Sequence, residues 1–571
     1  MQCQLRTCRR ASPALVFLLV LSHLFPALSG GAPLELQPEN TLFLDLTASV
    51  INQPKADLLP GQVRISVNGV PRDLIYFSRI TPDLLNSGDP NSWVIANQLR
   101  GECALIIVLD LNNLDNAALN STRLTIRSIL ESLPENQNQK FMLVTLGSRL
   151  SFIQTFTSDK TRIVSAADEI RATTGRMDYK SLIEAISEAF TIQYDQNPGQ
   201  AMEEAIREAN QFMIQVRGRA QSTIAGLEVL SEWFTGLSGP KKMLLFSGGY
   251  PLVPAPVVHD IIRAYNQTNV SSDIIPASLM SAKIGTGSES VTSEEMASLM
   301  AKMNRNQITL YTFDSRDIKS DSLAASNIRW LSPRLVARHN SSHITAGREF
   351  LEEISEPTRG ALISTADKLI DTVNEIGQAG YIAAIKAIPG EEPGEKDLKI
   401  EVEITDAAGN QDKSVDVRWR KGLFTLLAGN SEESLAGAFN FPYYHRDFSV
   451  SFKVGTGQGR LAVQAVIPPS ELRFNSEKDN YFCMLEIFGL LTDSEGKTLT
   501  GDKKYTFARQ FPIRMNEAQL QKLRLRDSVS ADASADGILP GDYTLTVVVR
   551  QPRSGLISAS RMNLSVAAGA Q

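Results

Sequence analysis

Apolar positions along the chain change rhythm three times. From Thr41 they alternate: Val63, Ile65 and Val67 are interleaved with Arg64, Ser66 and Asn68, and Asn68-Gly69 closes the run as a turn. Near Cys103 the alternation gives way to a run of apolar residues at 105–109 and to further predominantly apolar strand-like stretches at 141–146, 243–246 and 307–313. Short runs of this kind, bounded by turn formers, read as fully buried strands of a parallel sheet. Between them apolar residues recur at helical spacing, as in Leu119, Ile126, Ile129, Leu130 and Leu133, or Ile224, Leu227, Leu230, Phe234 and Leu237. Helical character extends over 180–238 with a break at Asn197-Pro198-Gly199, and residues 150–156 form a short edge strand. A last βα unit runs from Ala361 through Leu369 and Ile376.

Alternation returns at Tyr381. From about Asn430 every candidate element is a strand, with no helical stretch except 517–523, and turn signals such as Pro468-Pro469 separate them. The pattern predicts an α/β plus β protein. A doubly wound, mainly parallel, Rossmann-like domain (101–380) is flanked by β segments (30–100 and 381–428) and followed by an immunoglobulin-like β-sandwich (429–571). Each flanking segment alone offers too few strands to bury a core, so the two are expected to pair into one β unit with the α/β domain as an insertion.

The N-terminus changes the picture of where the chain works. Arg6, Arg9 and Arg10 precede an apolar run over 14–25 and then Ala27-Leu28-Ser29, the pattern of a secretory signal peptide over 1–29. No later run approaches 18 residues, so no transmembrane segment is expected after leader removal. Losing three arginines takes the net charge from −6 to −9, which argues against a nucleic-acid partner. Of four cysteines, Cys3 and Cys8 leave with the leader. Cys103 and Cys483 remain, and two buried thiols are the simpler expectation than a disulfide between them.

Residues from about 40 to 424 resemble von Willebrand factor type A-related domain proteins of the acidobacterial type. The resemblance is carried by VRISVNG (63–69), VLDLNNL (108–114), VTLGSRLSFIQTFTSD (144–159), GPKKMLLFSGGYP (239–251), ITLYTFDSR (308–316) and RWRKGLF (418–424). It implies a bacterial chain, secreted or periplasmic, whose A-type domain is joined to β domains. A-type domains often carry a metal-ion-dependent adhesion site whose first loop reads D-x-S-x-S. Here that loop is Asp110-Leu111-Asn112-Asn113-Leu114, so the aspartate stands while Asn and Leu replace the serines. A threonine implied before the helix at Lys180 has Thr173, Thr174 or Asp178 as candidates. The carboxylate implied after the strand ending at Phe246 is replaced by Gly248 within Ser247-Gly248-Gly249.

Mg²⁺ takes about six oxygens in octahedral geometry. Asp110 and Asn112 supply two side-chain ligands, so an ion here, Mg²⁺ or Mn²⁺, would be weak and mostly held by water. The competing role for Asp110 is structural, accepting hydrogen bonds from N–H groups of adjoining loops. Asp314 and Arg316 follow a strand at the same edge of the sheet and either pair with each other or, with Ser247, line a binding face.

Catalytic patterns are thin. Ser247-Gly248-Gly249 has Leu245 where G-x-S-x-G needs its first glycine. His339 and His343 have zincin spacing, but Asn340 stands where that motif needs glutamate, and HNSSH looks like loop. No cofactor is implied. The leading expectation is a non-enzymatic protein–protein interaction or adhesion module with an unknown protein partner. The alternatives are a metal-dependent adhesin using Asp110 and a cell-surface hydrolase.

Overall fold

The computed structural model describes residues 41–50, 53–54, 57–79, 104–133, 139–172, 179–193, 198–237, 239, 241–254, 258–262, 291–316, 333–365, 367–369, 380–388, 399–406, 408–424, 431–457, 459–477, 480–493 and 506–567. The leader, Cys103, Thr173, Thr174, Asp178 and nearly all of the Gly/Ser-rich stretch at 266–293 lie outside these residues.

Five strands come first: β1 (Thr41–Val50), β2 (Gln53–Pro54), β3 (Val63–Val67), β4 (Val70–Arg72) and β5 (Leu74–Arg79). Val63, Ile65 and Val67 are buried and Arg64 is exposed, the alternation of a sheet with one wet face. Asn68 and Gly69 both take positive φ (53° and 77°), as a two-residue hairpin turn requires.

The α/β segment follows. It comprises β6 (Ala104–Asp110), α1 (Asn116–Ser132), β7 (Lys140–Leu146), β8 (Leu150–Thr157), α2 (Lys160–Glu169), α3 (Tyr179–Gln193), α4 (Pro198–Trp233), β9 (Lys241–Ser247), α5 (Ser293–Arg305), β10 (Ile308–Asp314), α6 (Pro333–Ser355) and β11 (Leu362–Ile363). The strands form one sheet in the order β11-β10-β9-β6-β7-β8, parallel except for β8. One face packs Ile106, Val108, Val144 and Leu245 under Ile224 and Leu227 of α4, Leu299 of α5 and Phe350 of α6. The other packs Leu105, Ile107, Leu143 and Phe246 under Leu119, Ile126 and Ile129 of α1 and Ile163 of α2. From β6 the chain runs outward through β7 and β8, then returns to β6's other side as β9. Strand order therefore reverses between β6 and β9, where a doubly wound sheet opens a crevice at its carboxyl ends.

Strands β12 (Tyr381–Lys386), β13 (Ile400–Ile404) and β14 (Asp416–Trp419) return to the first five. They complete two sheets, β14-β1-β12-β5 with β2 on β1, and β13-β3-β4. Leu44, Leu46, Ile65, Val67, Tyr381 and Val402 share the core between them, so strands from both sides of the α/β segment build one β unit.

The remainder is α7 (Glu432–Asn440), β15 (Ser451–Gly457), β16 (Arg460–Ile467), β17 (Asn475–Glu477), β18 (Asn480–Thr492), β19 (Phe507–Asn516), α8 (Glu517–Arg524), β20 (Val529–Asp536), β21 (Gly541–Gln551) and β22 (Leu556–Val566). Two antiparallel sheets, β15-β16-β20 and β17-β18-β21-β22 with β19 on β18, enclose one core through Val463, Leu485, Ile487 and Val547.

Two expectations need correction. Helix α7 lies where only strands are predicted: Ser431 caps it by accepting from Ser434 N, and Leu435, Ala438 and Phe439 bury against Phe488, Val548 and Ile557. A helix this short carries too few apolar repeats to announce itself. HNSSH is not a loop either, since His339 and His343 lie within α6. Ser and Asn are poor helix formers, and tertiary context overrides that weak preference here.

Candidate functional site

Strand β6 is buried at all seven positions and delivers Asp110 to the crevice with 0% of its surface exposed. A buried carboxylate needs hydrogen-bond donors, and four converge on it. Ser247 Oγ, at the end of β9, donates to Oδ2 at 2.7 Å. Thr223 Oγ1, from α4, donates to Oδ1 at 3.0 Å. The Tyr250 hydroxyl donates to Oδ2 at 3.1 Å, and the Asn112 amide to Oδ1 at 3.2 Å. Burial raises the carboxyl pKa to about 6, while bonds from Ser247, Thr223, Tyr250 and Asn112 pull it down. Burial, joined by the charge of Asp110, likewise lifts the Tyr250 phenol well above its ordinary value.

The second layer locks the loops that carry these donors. Asn112 Nδ2 donates to Thr223 Oγ1 at 3.3 Å, Asn113 Nδ2 donates to the Gly249 carbonyl, and Arg219 Nη1 reaches Asn112 O at 3.1 Å. Gly249 has φ 68°, and a Cβ on it would lie 2.1 Å from Gly347 O. A Cβ on Gly347 would in turn lie 2.6 Å from Gly248 O. Helix α6 therefore crosses the Ser247–Gly249 turn at a separation that only glycines permit.

Next along the edge, Asp314 ends β10 and is enclosed by arginines. Arg316 Nε and Nη2 each bond one carboxylate oxygen at 2.7 Å, and Arg348 Nε adds a contact at 2.9 Å. Burial pushes the Asp314 carboxyl up, but the hydrogen bonds and charge of Arg316, with Arg348, outweigh it and hold the pKa below the ordinary value. Arg316 also reaches Ile344 O at 2.9 Å, and Arg348 is the accessible member, with 41% of its side chain exposed.

The structure thus brings together Asp110, Asn112 and Ser247, and separately Asp314 with Arg316. All five are buried. Leu114 is buried in the apolar core beneath α1. The threonine beside Asp110 is Thr223, far along the chain from the loop positions suggested for one. Thr223 and Tyr250 escape sequence reasoning. The one signal for Thr223 is a polar residue on the apolar stripe of α4, beside Val216, Ala220 and Leu227.

As a cation site the donor set is one carboxylate and three neutral hydroxyls, already hydrogen-bonded to one another. Among the described residues no group of three or more His, Cys, Asp or Glu side chains is placed to hold a metal. Ser247 Oγ, engaged by Asp110 and by Gly249 N at 3.0 Å, has no histidine among its hydrogen-bond partners. Cys483 is buried, and burial raises its thiol pKa to about 11.

No family model matches the chain, and no curated protein matches it. Solved structures similar to it include a von Willebrand factor type A protein from Catenulispora acidiphila, with 8% identity, 92% of this chain and 74% of that one covered, and a TM-score of 0.22. The von Willebrand factor domain of the type V pili tip protein Mfa5 from Porphyromonas gingivalis shows 11% identity, with 48% and 96% covered and a TM-score of 0.22. The conserved hypothetical protein BatB from Bacteroides thetaiotaomicron shows 10% identity, with 48% and 98% covered and a TM-score of 0.21. At such scores the likeness carries no weight for fold or activity, and the architecture stands on the chain's own strand order. Among the described residues no helix is long and apolar enough to cross a membrane.

Proposed function

We propose that this chain is a non-enzymatic, adhesion-type protein–protein interaction module that works outside the cytoplasm and presents the carboxyl edge of its six-stranded sheet without a resident metal. The observation that carries this reading is Asp110, whose two oxygens are saturated by Ser247, Thr223, Tyr250 and the Asn112 amide. A divalent ion would have to displace neutral donors from a sealed carboxylate and find its remaining oxygens among groups that carry no charge. The same enclosure disfavours a hydrolase, because Ser247 is buried against a carboxylate rather than aimed at solvent beside a base. Secretion or a periplasmic location rests on the leader pattern at 1–29.

Thermal unfolding in EDTA and then in millimolar Mg²⁺, Mn²⁺ or Ca²⁺ tests the metal-free reading. An ion at 100 times its Kd would add about 2.7 kcal/mol. The expected result is one midpoint in all four conditions. A rise that disappears in Asp110→Asn would establish a metal-dependent adhesin instead.

A further inference from the structure

The C-terminal sandwich meets the α/β sheet through a short segment that serves two cores. The sandwich core draws its members from Phe448 onward, and α7 packs on that sandwich through Phe488, Val548 and Ile557. Phe441 and Tyr444 turn the other way and belong to the α/β core. The Phe441 ring lies 5.4 Å from Phe156 and 5.9 Å from Phe234, and the Tyr444 ring lies 5.1 Å from Phe156. Helix α7 also sits close against the turn that follows α4, since a Cβ on Gly437 would lie 2.8 Å from Gly236 O.

His445 follows at the seam. Its carbonyl accepts from Ala559 N of β22 at 2.8 Å, its ring meets Tyr444 edge-on at 5.3 Å, and its buried Nε2 has no hydrogen-bond partner among the described residues. Lys241, the first residue of β9, is the charge that acts on this ring. Lys241 is itself buried, and its ammonium donates to carbonyls rather than a carboxylate, Leu237 O at 2.7 Å and Gly239 O at 2.8 Å. Arg420 faces Lys241 in turn, and Asp45, with Arg359 beside it, pairs that guanidinium. On the sandwich side the Asp447 carboxylate holds Ile557 N at 2.8 Å, and Arg446 lies over the Tyr443 ring at 5.5 Å. The seam therefore already encloses one positive charge, and a proton on His445 would set a second facing it, away from water.

We propose that residues 441–445 form an acid-released latch: protonation of His445 withdraws Phe441 and Tyr444 from the α/β core and lets the sandwich swing away while each core stays folded. Opening wets the imidazole, which then takes its proton at the ordinary value of 6.5, whereas the enclosed ring does so only at about 3. Between those values the open form binds more protons than the closed one, so its share rises by up to about tenfold per pH unit as pH falls. Lys241, lowered to about 7 by burial and by Arg420, carries its charge throughout that window and supplies the repulsion.

The test uses the full chain, with hydroxyl-radical footprinting of Tyr444 and small-angle scattering from about pH 7 to about pH 4. Tyr444 oxidation is expected to rise by up to about tenfold per pH unit, together with the maximum dimension of the particle. Tyr381, buried in the β unit, should stay protected over the same range. In His445→Leu both changes should disappear. Lys241→Met keeps the imidazole, removes the charge that faces it and should move the opening to lower pH. The proposal is overturned if Tyr444 stays protected until Tyr381 is oxidised with it, or if Tyr444 reacts with no change in dimension. It is equally overturned if His445→Leu opens as the parent does, or if Lys241→Met opens at the parent's pH.

Discussion

Arg420 grips Asp45 through both carboxylate oxygens, Nε to Oδ1 at 2.9 Å and Nη2 to Oδ2 at 3.2 Å, with 0% of the arginine exposed. The same guanidinium reaches Ile308 O at 2.6 Å, Thr309 Oγ1 at 3.0 Å and Asn304 Oδ1 at 3.3 Å. Asp45 belongs to β1 and Ile308 to β10, so one side chain joins the β unit to the α/β sheet. The surrounding RWRKGLF segment works at the same joint. Trp419 Nε1 donates to Ile400 O at 3.1 Å, and Phe424 exchanges backbone bonds with Phe43 at 2.8 and 3.0 Å.

Breaking this pair from one side should be severe. Arg420→Met leaves Asp45 buried with only Arg359, 3.2 Å away, and is expected to remove about 3–5 kcal/mol. The double variant Asp45→Asn/Arg420→Met should recover a large part of that loss in urea unfolding. Burial raises the Asp45 pKa, but Arg359 and Arg420 bring it down to about 2. Its contribution is therefore full above the ordinary carboxylate value of 3.8 and is lost as pH falls toward 2. Equal stability of parent and Arg420→Met at pH 7 would show the joint to be held by its apolar contacts alone.

Asp110 carries the opposite sign. Its folded pKa of about 6 exceeds the ordinary 3.8, so its favourable term is full below about 4 and is lost as pH rises through 6. Above pH 6 the buried charge should cost about 3 kcal/mol relative to acid conditions. Asp110→Asn is expected to fold and to flatten the stability profile between pH 4 and 6. Asp110→Ala strands four donors and should destabilise by about 3 kcal/mol. A profile unchanged by Asp110→Asn, measured by urea midpoints across that range, would contradict this environment.

His445 sets the acid limit. It is buried, Nε2 has no hydrogen-bond partner among the described residues, and burial, with the charge of Lys241, lowers its pKa from 6.5 to about 3. Stability is then full above 6.5 and declines as pH falls toward 3, by on the order of 5 kcal/mol. His445→Leu should raise the midpoint at pH 7 by removing an unpaired polar atom, worth about 1–3 kcal/mol. It should also remove the decline between pH 6.5 and 3. A destabilised His445→Leu would mean that the ring is held by more than packing.

Gly347→Ala probes the crossing of α6 over the crevice. Its Cβ would press on Gly248 O and on Arg316 Nη1, the latter at 2.7 Å. A loss of about 1–3 kcal/mol is expected, despite the gain in helix propensity that alanine brings. Ala at Gly218, where a Cβ meets nothing within 4 Å, should stabilise α4 slightly and serves as the control. Calorimetry separates the two, and equal midpoints would place α6 farther from the Ser247–Gly249 turn.

The sequence by itself determined the elements whose environment is uniform along their length. Strands β6, β7 and β9 are buried on both faces and read as apolar runs, whereas β3 is wet on one face and alternates, and Asn68-Gly69 supplies the only backbone its hairpin tolerates. It also placed Asp110 at a strand end, because an apolar run that stops at a charge marks where the buried sheet meets its loops. The tertiary structure alone decided what that charge does. Thr223 and Ser247 lie 113 and 137 residues from Asp110, and no local pattern reports which hydroxyls will close on a buried carboxylate. Arg420 reads as one more surface cation until Asp45, 375 residues away, is brought to it. Helix α7 likewise owes its place to a partner surface, Phe488, Val548 and Ile557, that exists only after the sandwich has formed. Periodicity records which face of an element is dry, whereas long-range polar pairing depends on which two distant segments the fold brings together.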